Sequence, residues 1–550
     1  MARQSTTPIK FNRTVRKDDS LLMTSGRAAR VVPVAYAPLL PGDSASGKVG
    51  IDIELRDMPR PLLNAVHANV QAWFVPKTAF PQFAGRDELM HSFTGEKIKA
   101  LGQADRNPPK YFFTANSTAN RAIVNKSMMF KTLGIHCVDN QPINCDLIDA
   151  FILIYNFRLA AHTSKLKRRP YAAENLDVAT DLPRAFWPSG RFASVVPDYE
   201  RALVLGALDL DVLAGRMPVV GFGNSNGGTK GVYKSSIKVR DSRGFNVTYP
   251  KWMNVDETNQ GMVVNMTDTG IPRIFAEMTG KRMTTTLADI DMARKTQAFA
   301  KMRTAYAGND PTGFVNDDVI IAHLMQGLEV PEEQFKRPWL LDSRRVPIGF
   351  AERFATDAAN LSKSVTRGRA SAQLSINIPQ QETGGMFIVT VEVLPERIYE
   401  RSSDPFLHMD TPDDLPNALR DVQRVEPVDL VENSRIDARH TKPKGLYGYE
   451  PMNMKWNRDY TRLGGVFYSP KPGSGWKEAR SAIWQTELVD PKFTESHFLA
   501  PINFPHDVFS DKRGPAFECV CRHSLSIVGL TQIGDVLVEN SDDYKAVEQA

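Results

Sequence analysis

The sequence has few cysteines and no long apolar run. The first absence argues against a disulfide-rich protein, and the second argues against a membrane-spanning one. Four cysteines in 550 residues are too few for a disulfide framework. The best candidate for a membrane helix, AFILIYNF, is far shorter than the roughly 18 apolar residues that a span needs. The first residues, MARQSTT, lack the apolar segment of a signal peptide. We therefore expect no membrane span and a protein made in a reducing cytoplasm.

The sequence also offers little catalytic or metal-binding chemistry. The glycine-rich segment GFGNSNGGTK fits neither a P-loop nor a dinucleotide-binding loop, so we interpret it as an ordinary loop. Cys519, Cys521 and His523 alternate along one segment, which indicates a packed strand face rather than a zinc site. His497 and His506 have no nucleophile beside them in the sequence and are interpreted as structural. We predict no enzyme activity, no metal and no cofactor.

Positive charge is concentrated at the N-terminus. The whole chain has 68 Lys and Arg against 63 Asp and Glu, a net charge of +5. Residues 1–30 alone carry seven cations and two acids, which is also +5, so the remaining chain sums to zero. This leader has too few periodic apolar residues to fold alone, and a flexible basic arm indicates a polyanion partner. A solvated terminus without function stays open as the alternative.

Most periodic segments alternate as strands do. Alternation predicts strands in GKVGIDIELRDM, VHANVQAWFVP and FECVCRHSLSIVGL, and a hairpin that joins SAQLSINIP to GMFIVTVEVLP around Gln380 to Gly385. The apolar ribbon VVPVAYAPLLPGDS contains three prolines, which exclude an ordinary central strand. Two segments favour helices, one from Asn144 that ends in KLKRR and one in TTTLADIDMARKTQAFAKMRTAY. Regular βαβ spacing is absent, so we predict an antiparallel barrel or sandwich with large excursions.

A series of segments recurs in a characteristic order. The first are the basic leader, Leu40-Pro41-Gly42-Asp43 after a strand, Arg56 with Pro61, and the strand that ends at Pro76. Later ones are Pro197-Asp198-Tyr199, GMVVNMTDTG, LADIDMARKTQAFAKMR, PWLLDSRRVPI, GMFIVTVEVLPERIYERSSDPFL and YGYEPMNMKWNRDYTRLGGVF. Together these segments resemble the major capsid protein of the microviruses, small phages with single-stranded DNA, and they look closer to the gokushovirus-like branch than to the type phages. The chain departs from the family pattern at Met452, Met454 and Trp456, where tyrosines are expected.

The resemblance implies a fold and an assembly. The expected fold is mainly β, a single antiparallel jelly roll with large loop and helical insertions over residues 31–550, behind a basic arm at residues 1–30. The expected function is a T=1 icosahedral shell of about sixty copies around circular single-stranded DNA. Residues 206–260 are the candidate surface protrusion. Expected partners are further copies of the chain, the packaged DNA, minor virion and scaffolding proteins, and a host surface receptor; the expected location is the virion.

Five residues of the leader are the predicted phosphate ligands: Arg3, Lys10, Arg13, Arg16 and Lys17. A competing interpretation has the leader reach under a neighbouring subunit, which Asp18, Asp19 and the apolar residues after them favour for residues 18–30. Two other functions stay open, a cytoplasmic jelly-roll binding protein and a DNA-compacting protein.

Overall fold

The computed structural model describes most of the chain outside residues 198–336. It covers residues 12–83, 86–98, 105–115, 127–136, 138, 141–162, 166–172, 181–188, 190–197, 337–354, 364–419, 428–457, 462–468, 480–485 and 489–534, with four short strands between residues 209 and 284. The chain divides into two compact units, one formed by Met1–Tyr199 with Arg303–Ala550 and the other by Glu200–Met302. The larger unit is mainly β.

The strands make antiparallel sheets. In chain order they are β1 (Thr14–Gly26), β2 (Val32–Leu39), β3 (Ser44–Leu55), β4 (Val66–Pro76), β5 (Thr114–Ala115), β6 (Ile143–Asn144), β7 (Asp209–Leu210), β8 (Arg216–Pro218), β9 (Phe275–Glu277), β10 (Met283–Thr284), β11 (Trp339–Pro347), β12 (Gly349–Phe354), β13 (Ser364–Ile378), β14 (Gly385–Pro395), β15 (Val428–Glu432), β16 (Leu446–Pro451) and β17 (Phe517–Gly529). A five-stranded sheet has the order β1-β17-β3-β13-β12, and a four-stranded sheet has the order β11-β4-β14-β2. Two-stranded ladders join β5 to β6 and β15 to β16 in the larger unit, and β7 to β10 and β8 to β9 in the smaller one.

The helices lie in the long connections. They are α1 (Arg86–Thr94), α2 (Met128–Leu133), α3 (Asp146–His162) and α4 (Asn433–Ile436), and short 3-10 turns occur at Lys77–Ala79, Pro405–His408, Pro412–Asp414, Asn417–Leu419, Met454–Trp456, Gly465–Phe467 and Glu495–His497. The predicted helix from Asn144 is confirmed for Asp146–His162 as α3, which is largely apolar on all sides and therefore buried. The prediction that it extends to KLKRR is wrong, since Lys167, Arg168 and Arg169 are not helical. It packs on β4 and β14, and Arg158 forms an ion pair with the buried Glu392 of β14.

The alternating segments form strands as predicted, and the proline-rich ribbon lies at an edge. β3, β4 and β17 cover the three predicted strands, with apolar side chains of β3 and β17 on the buried face. β2 is the end strand of the four-stranded sheet and pairs with β14 across a bulge. Because proline lacks the N–H that a second ladder would need, Pro33 and Pro38 suit this edge position.

The predicted hairpin around Gln380 to Gly385 is wrong. β13 pairs with β3 and β12, whereas β14 pairs with β4 and β2, so the two strands belong to different sheets. The chain crosses between the sheets at residues 379–384. Two consecutive alternating strands with a short polar link look the same in sequence whether they pair with each other or face each other across a core.

The expectation of a leader outside the fold is wrong for Thr14–Gly26. These residues form β1, which pairs with β17 along its whole length, from Thr14 opposite Gly529 to Gly26 opposite Phe517. The inward side of β1 carries Arg16, Asp18 and Ser20 rather than a row of apolar residues. A strand held by backbone pairing and polar contacts gives no apolar periodicity, which is why the pattern predicted no structure here.

One continuous core joins the two sheets and α3. Two long connections leave the sheets, residues 77–338 after β4 and residues 396–516 after β14. We call them the first and second excursions. The second helix prediction, in residues 284–306, and the glycine-rich loop lie outside the described residues, as does the candidate protrusion at 206–260 apart from β7 and β8.

Candidate functional site

The Leu40–Asp43 turn connects the two sheets at one end of the larger unit. Pro41 and Gly42 occupy its central positions, and Gly42 has φ of 86°, the left-handed value that a type II turn requires at its third residue. The backbone N–H of Asp43 donates to the Leu40 carbonyl at 3.0 Å, and the N–H of Leu40 donates to the Asp43 carboxylate at 2.7 Å. Backbone bonds from Gly42 N and Gln381 N then join the turn to the link between β13 and β14.

Arg13, a predicted phosphate ligand, holds this turn from the N-terminal side. Its guanidinium donates to the Gly42 carbonyl at 2.6 Å, to the Val528 carbonyl at 3.1 Å and to the Gln380 side chain at 2.7 Å. The guanidinium therefore joins the start of β1, the turn and the end of β17.

Arg16, the next predicted ligand, forms an ion pair with Asp43 at 2.7 Å. The Asp43 side chain has no exposed surface. Arg16 also donates to the Pro38 carbonyl at 3.2 Å and to the Thr531 hydroxyl at 2.6 Å. Because a buried carboxylate is costly without a cation, Arg16 has a structural task in addition to any contact with DNA.

The structure describes three of the five predicted ligands, and Lys17 lies on the opposite face of β1 from Arg16. Lys17 is exposed on the solvent side of β1, opposite Ser526, while Arg3 and Lys10 lie outside the described residues. The solvent face of the five-stranded sheet carries charges of both signs, including Lys17, Lys48, Arg369 and Arg522 with Asp19, Asp52, Glu54 and Glu518. The described part of this face is therefore not a uniformly basic surface.

The inward side of β1 makes a second polar contact that the sequence did not predict. His523 of β17 is buried, and its Nε2 lies 2.8 Å from the Asp18 carboxylate. Cys519 and Cys521 are buried on the same strand face, as predicted for a packed face, and burial raises the pKa of both thiols to about 12. Within the described residues, no group of three or more His, Cys, Asp or Glu is placed to hold a metal.

The two histidines interpreted as structural are both buried and bonded to protein atoms. The Tyr447 hydroxyl lies 3.0 Å from Nδ1 of His497, and Nδ1 of His506 lies 2.8 Å from the Phe504 carbonyl. Burial and the nearby Arg397 lower the pKa of His497 to about 3. Burial also lowers the pKa of His506. Both rings are therefore neutral near pH 7.

The second excursion exposes many large apolar side chains in its described parts. They are Phe406, Leu407, Leu415, Leu419, Leu430, Leu446, Val466, Tyr468, Val489 and Ile502. Leu407 is 76% exposed and Leu419 is 69% exposed. Single exposed apolar residues are ordinary, whereas a contiguous patch of them would be typical of a surface that contacts another molecule. Nothing in the sequence pattern distinguished these residues from buried ones.

No family model matches the chain, and no curated protein matches it. Among the described helices, none is long and apolar enough to cross a membrane.

Proposed function

We propose that this chain is the coat subunit of a small icosahedral phage, that its larger unit is a jelly roll, and that about sixty copies form a T=1 shell around single-stranded DNA. The virion is then its location. The proposal rests on the resemblance of the ordered sequence segments, and the strand order is the observation that carries it furthest.

The strand order supports the proposed jelly roll. Eight strands form two four-stranded layers, β1-β17-β3-β13 and β2-β14-β4-β11, with β12 extending the first layer. The chain passes from one layer to the other at nearly every connection, and β1 and β2, the first strands, pair with β17 and β14, the last. A jelly roll, which nests two Greek keys, is expected to have a strand order of this kind. It supports the fold expected from the sequence.

The two excursions support assembly. Long irregular connections are uncommon in a compact monomer, and a shell covers them with neighbouring copies. Obligate contacts of that kind commonly bury about 2,000–5,000 Å². The exposed apolar residues of the second excursion are suited to such contacts, because their burial between copies removes apolar surface from water.

Electron microscopy of the purified full-length protein tests the proposal. Closed shells of uniform size are expected from the wild-type chain and from Leu407→Met, which keeps an apolar side chain. Leu407→Asp should leave a folded subunit that forms no shells, because a carboxylate would be buried between copies. Stable monomers from the wild-type chain would overturn the proposal and favour a jelly-roll binding protein; open DNA aggregates would favour a DNA-compacting protein.

The proposal also assigns one segment of the chain to the outer surface of the shell. Residues 206–260 form the surface protrusion, because variable polar loops on a rigid scaffold carry recognition. Protease treatment of intact particles is expected to cut this segment before any other. Nicking elsewhere while 206–260 stays whole would contradict the assignment.

A further inference from the structure

A cavity of about 200 Å³ lies in the larger unit where both excursions meet the ends of β11 and β14. The first excursion supplies Trp187 and Arg191, β11 supplies Arg345, and the second excursion supplies Arg397 and His497. The mouth is open to solvent, since Arg345, Gly190 and Ala193 are exposed residues of the lining. These segments are far apart in the sequence. Arg345 and Arg397 lie in segments that resemble the capsid family, but neither segment indicated a ligand site.

The lining is positively charged. Three arginines, Arg191, Arg345 and Arg397, stand against one carboxylate, Glu396, which leaves two net positive charges. His162 and His497 add none near neutral pH, because burial and neighbouring arginines lower the pKa of both rings. A concave site with a net positive charge and partly apolar walls selects an anion.

Arg397 is held in place before any ligand arrives. Its guanidinium carbon lies 5.1 Å from the centre of the Trp187 ring and 5.0 Å from that of Tyr399, and it donates to the His497 carbonyl at 2.8 Å. These contacts are all with neutral groups, so they place the guanidinium on the cavity wall with its charge retained.

We propose that this cavity binds the phosphate of a single nucleotide, with the arginines on the phosphate oxygens and the aromatic wall beside the sugar or base. Arginine suits phosphate because its planar donors match two oxygens at once. Aromatic rings beside cations are the usual means of holding single-stranded nucleic acid. The cavity is smaller than the roughly 300–1,000 Å³ of pockets for drug-sized ligands, so its ligand is no larger than one nucleotide unit. The identification of that nucleotide as part of the packaged strand rests on the proposed function.

Binding of thymidine monophosphate to the full-length unassembled subunit, measured by calorimetry, tests the site. Arg345→Gln removes a cation at the mouth and should weaken binding about tenfold. Arg344→Gln is the matched control. It removes the same charge from the adjacent exposed residue, which does not line the cavity and lies 3.6 Å from Asp342, and it should change affinity less than about twofold. Arg397→Gln should abolish binding, and its circular dichroism spectrum shows whether the subunit still folds.

Two further probes identify the ligand and its source. Inorganic phosphate should compete only weakly, and a short oligothymidylate should bind with the same sensitivity to Arg345→Gln as the mononucleotide. Three results would overturn the nucleotide site. They are equal affinities for inorganic phosphate and thymidine monophosphate, no saturable binding of the mononucleotide, and the same loss of affinity in Arg345→Gln and Arg344→Gln. Mononucleotide binding without oligonucleotide binding would overturn the packaged strand as its source. Whether the chain forms shells is measured separately by electron microscopy. That measurement tests the proposed coat function independently of the nucleotide-binding result.

Discussion

At the scale of single residues, Asp43 shows how the short motif Leu40-Pro41-Gly42-Asp43 specifies the start of this fold. Its carboxylate caps the Leu40 turn and accepts the Arg16 guanidinium, while its burial excludes water from both contacts. Gly529 faces it so closely that a Cβ there would collide with the carboxylate. The motif that carried part of the family resemblance is thus explained by a buried charge that joins β1, the turn and β17.

Removing the cation from this pair should destabilise the subunit. Arg16→Gln leaves Asp43 as a buried carboxylate without its ion-pair partner, and we expect a loss of about 3 kcal/mol of stability. Lys17→Gln is the matched control, because the adjacent side chain is exposed and its loss should cost less than about 0.5 kcal/mol. The thermal midpoint of the unassembled subunit measures both. Equal midpoints for the two variants would show that Arg16 does not hold the turn.

The low pKa of the buried His497 predicts that the folded protein loses stability in acid. The folded protein disfavours the charged ring and holds its pKa near 3, whereas the unfolded chain has the ordinary value near 6.5. Below pH 6.5 the unfolded chain therefore binds more protons, and stability falls by about 2 kcal/mol between pH 6.5 and pH 5 from this residue alone. The contribution is fully present above pH 6.5.

The thermal midpoint followed from pH 7 to pH 5 checks this dependence. His497→Gln should lower the midpoint at pH 7, because it alters the contact with Tyr447, yet flatten the decline in acid. His408→Gln, at an exposed position, should follow the wild-type curve. Parallel curves for all three proteins would contradict the low pKa of His497.

At the scale of elements, alternation predicted strands well where one face is buried and poorly elsewhere. β3 and β17 alternate apolar and polar residues because one side faces the core and the other faces water. The same pattern could not say which strands pair, so the hairpin between β13 and β14 was wrong. β1 was missed because its inward side bonds through Arg16 and Asp18. Inward charges of this kind are typical of strands at a sheet edge.

The edge position of β1 predicts the result of two truncations. Removal of residues 1–26 deletes the partner of β17 along its whole length and leaves a long unpaired edge, so we expect an insoluble chain. Removal of residues 1–11 spares every residue of β1 and should leave a soluble subunit with the wild-type thermal midpoint. The soluble fraction after expression measures both. A soluble, folded chain without residues 1–26 would mean that β1 is dispensable for the sheet.

At the scale of the whole molecule, the sequence indicated the class of fold but not the sites. Composition and alternation were sufficient for a mainly β chain with long excursions, since those properties are local. The arginine cavity combines segments around Trp187, Arg345, Arg397 and His497, which only the folded chain brings together. Exposure of residues such as Leu407 likewise depends on what the rest of the chain leaves uncovered.

The division of the N-terminal cations predicts which of them would contact DNA in the proposed shell. Since Arg13 and Arg16 have partners in the fold, we assign the contact with single-stranded DNA to Arg3, Lys10 and Lys17. Each neutralised phosphate contributes roughly 0.7 to the slope of log affinity against log salt, so replacing all three by Gln should lower that slope by about 2. Filter binding of a single-stranded oligonucleotide to the full-length subunit measures it.

A second triple variant distinguishes a DNA contact made by the leader from an effect of the subunit's net charge. Lys110, Lys131 and Lys444 are exposed elsewhere in the larger unit, and their replacement by Gln removes the same charge. We expect that variant to keep the wild-type slope and the leader variant to form intact shells with less DNA. Equal slopes for the two triples would refute a DNA contact in the leader. Loss of shells in the leader variant alone would instead assign those residues to a tie between neighbouring subunits, because a contact with DNA is not needed to close an empty shell.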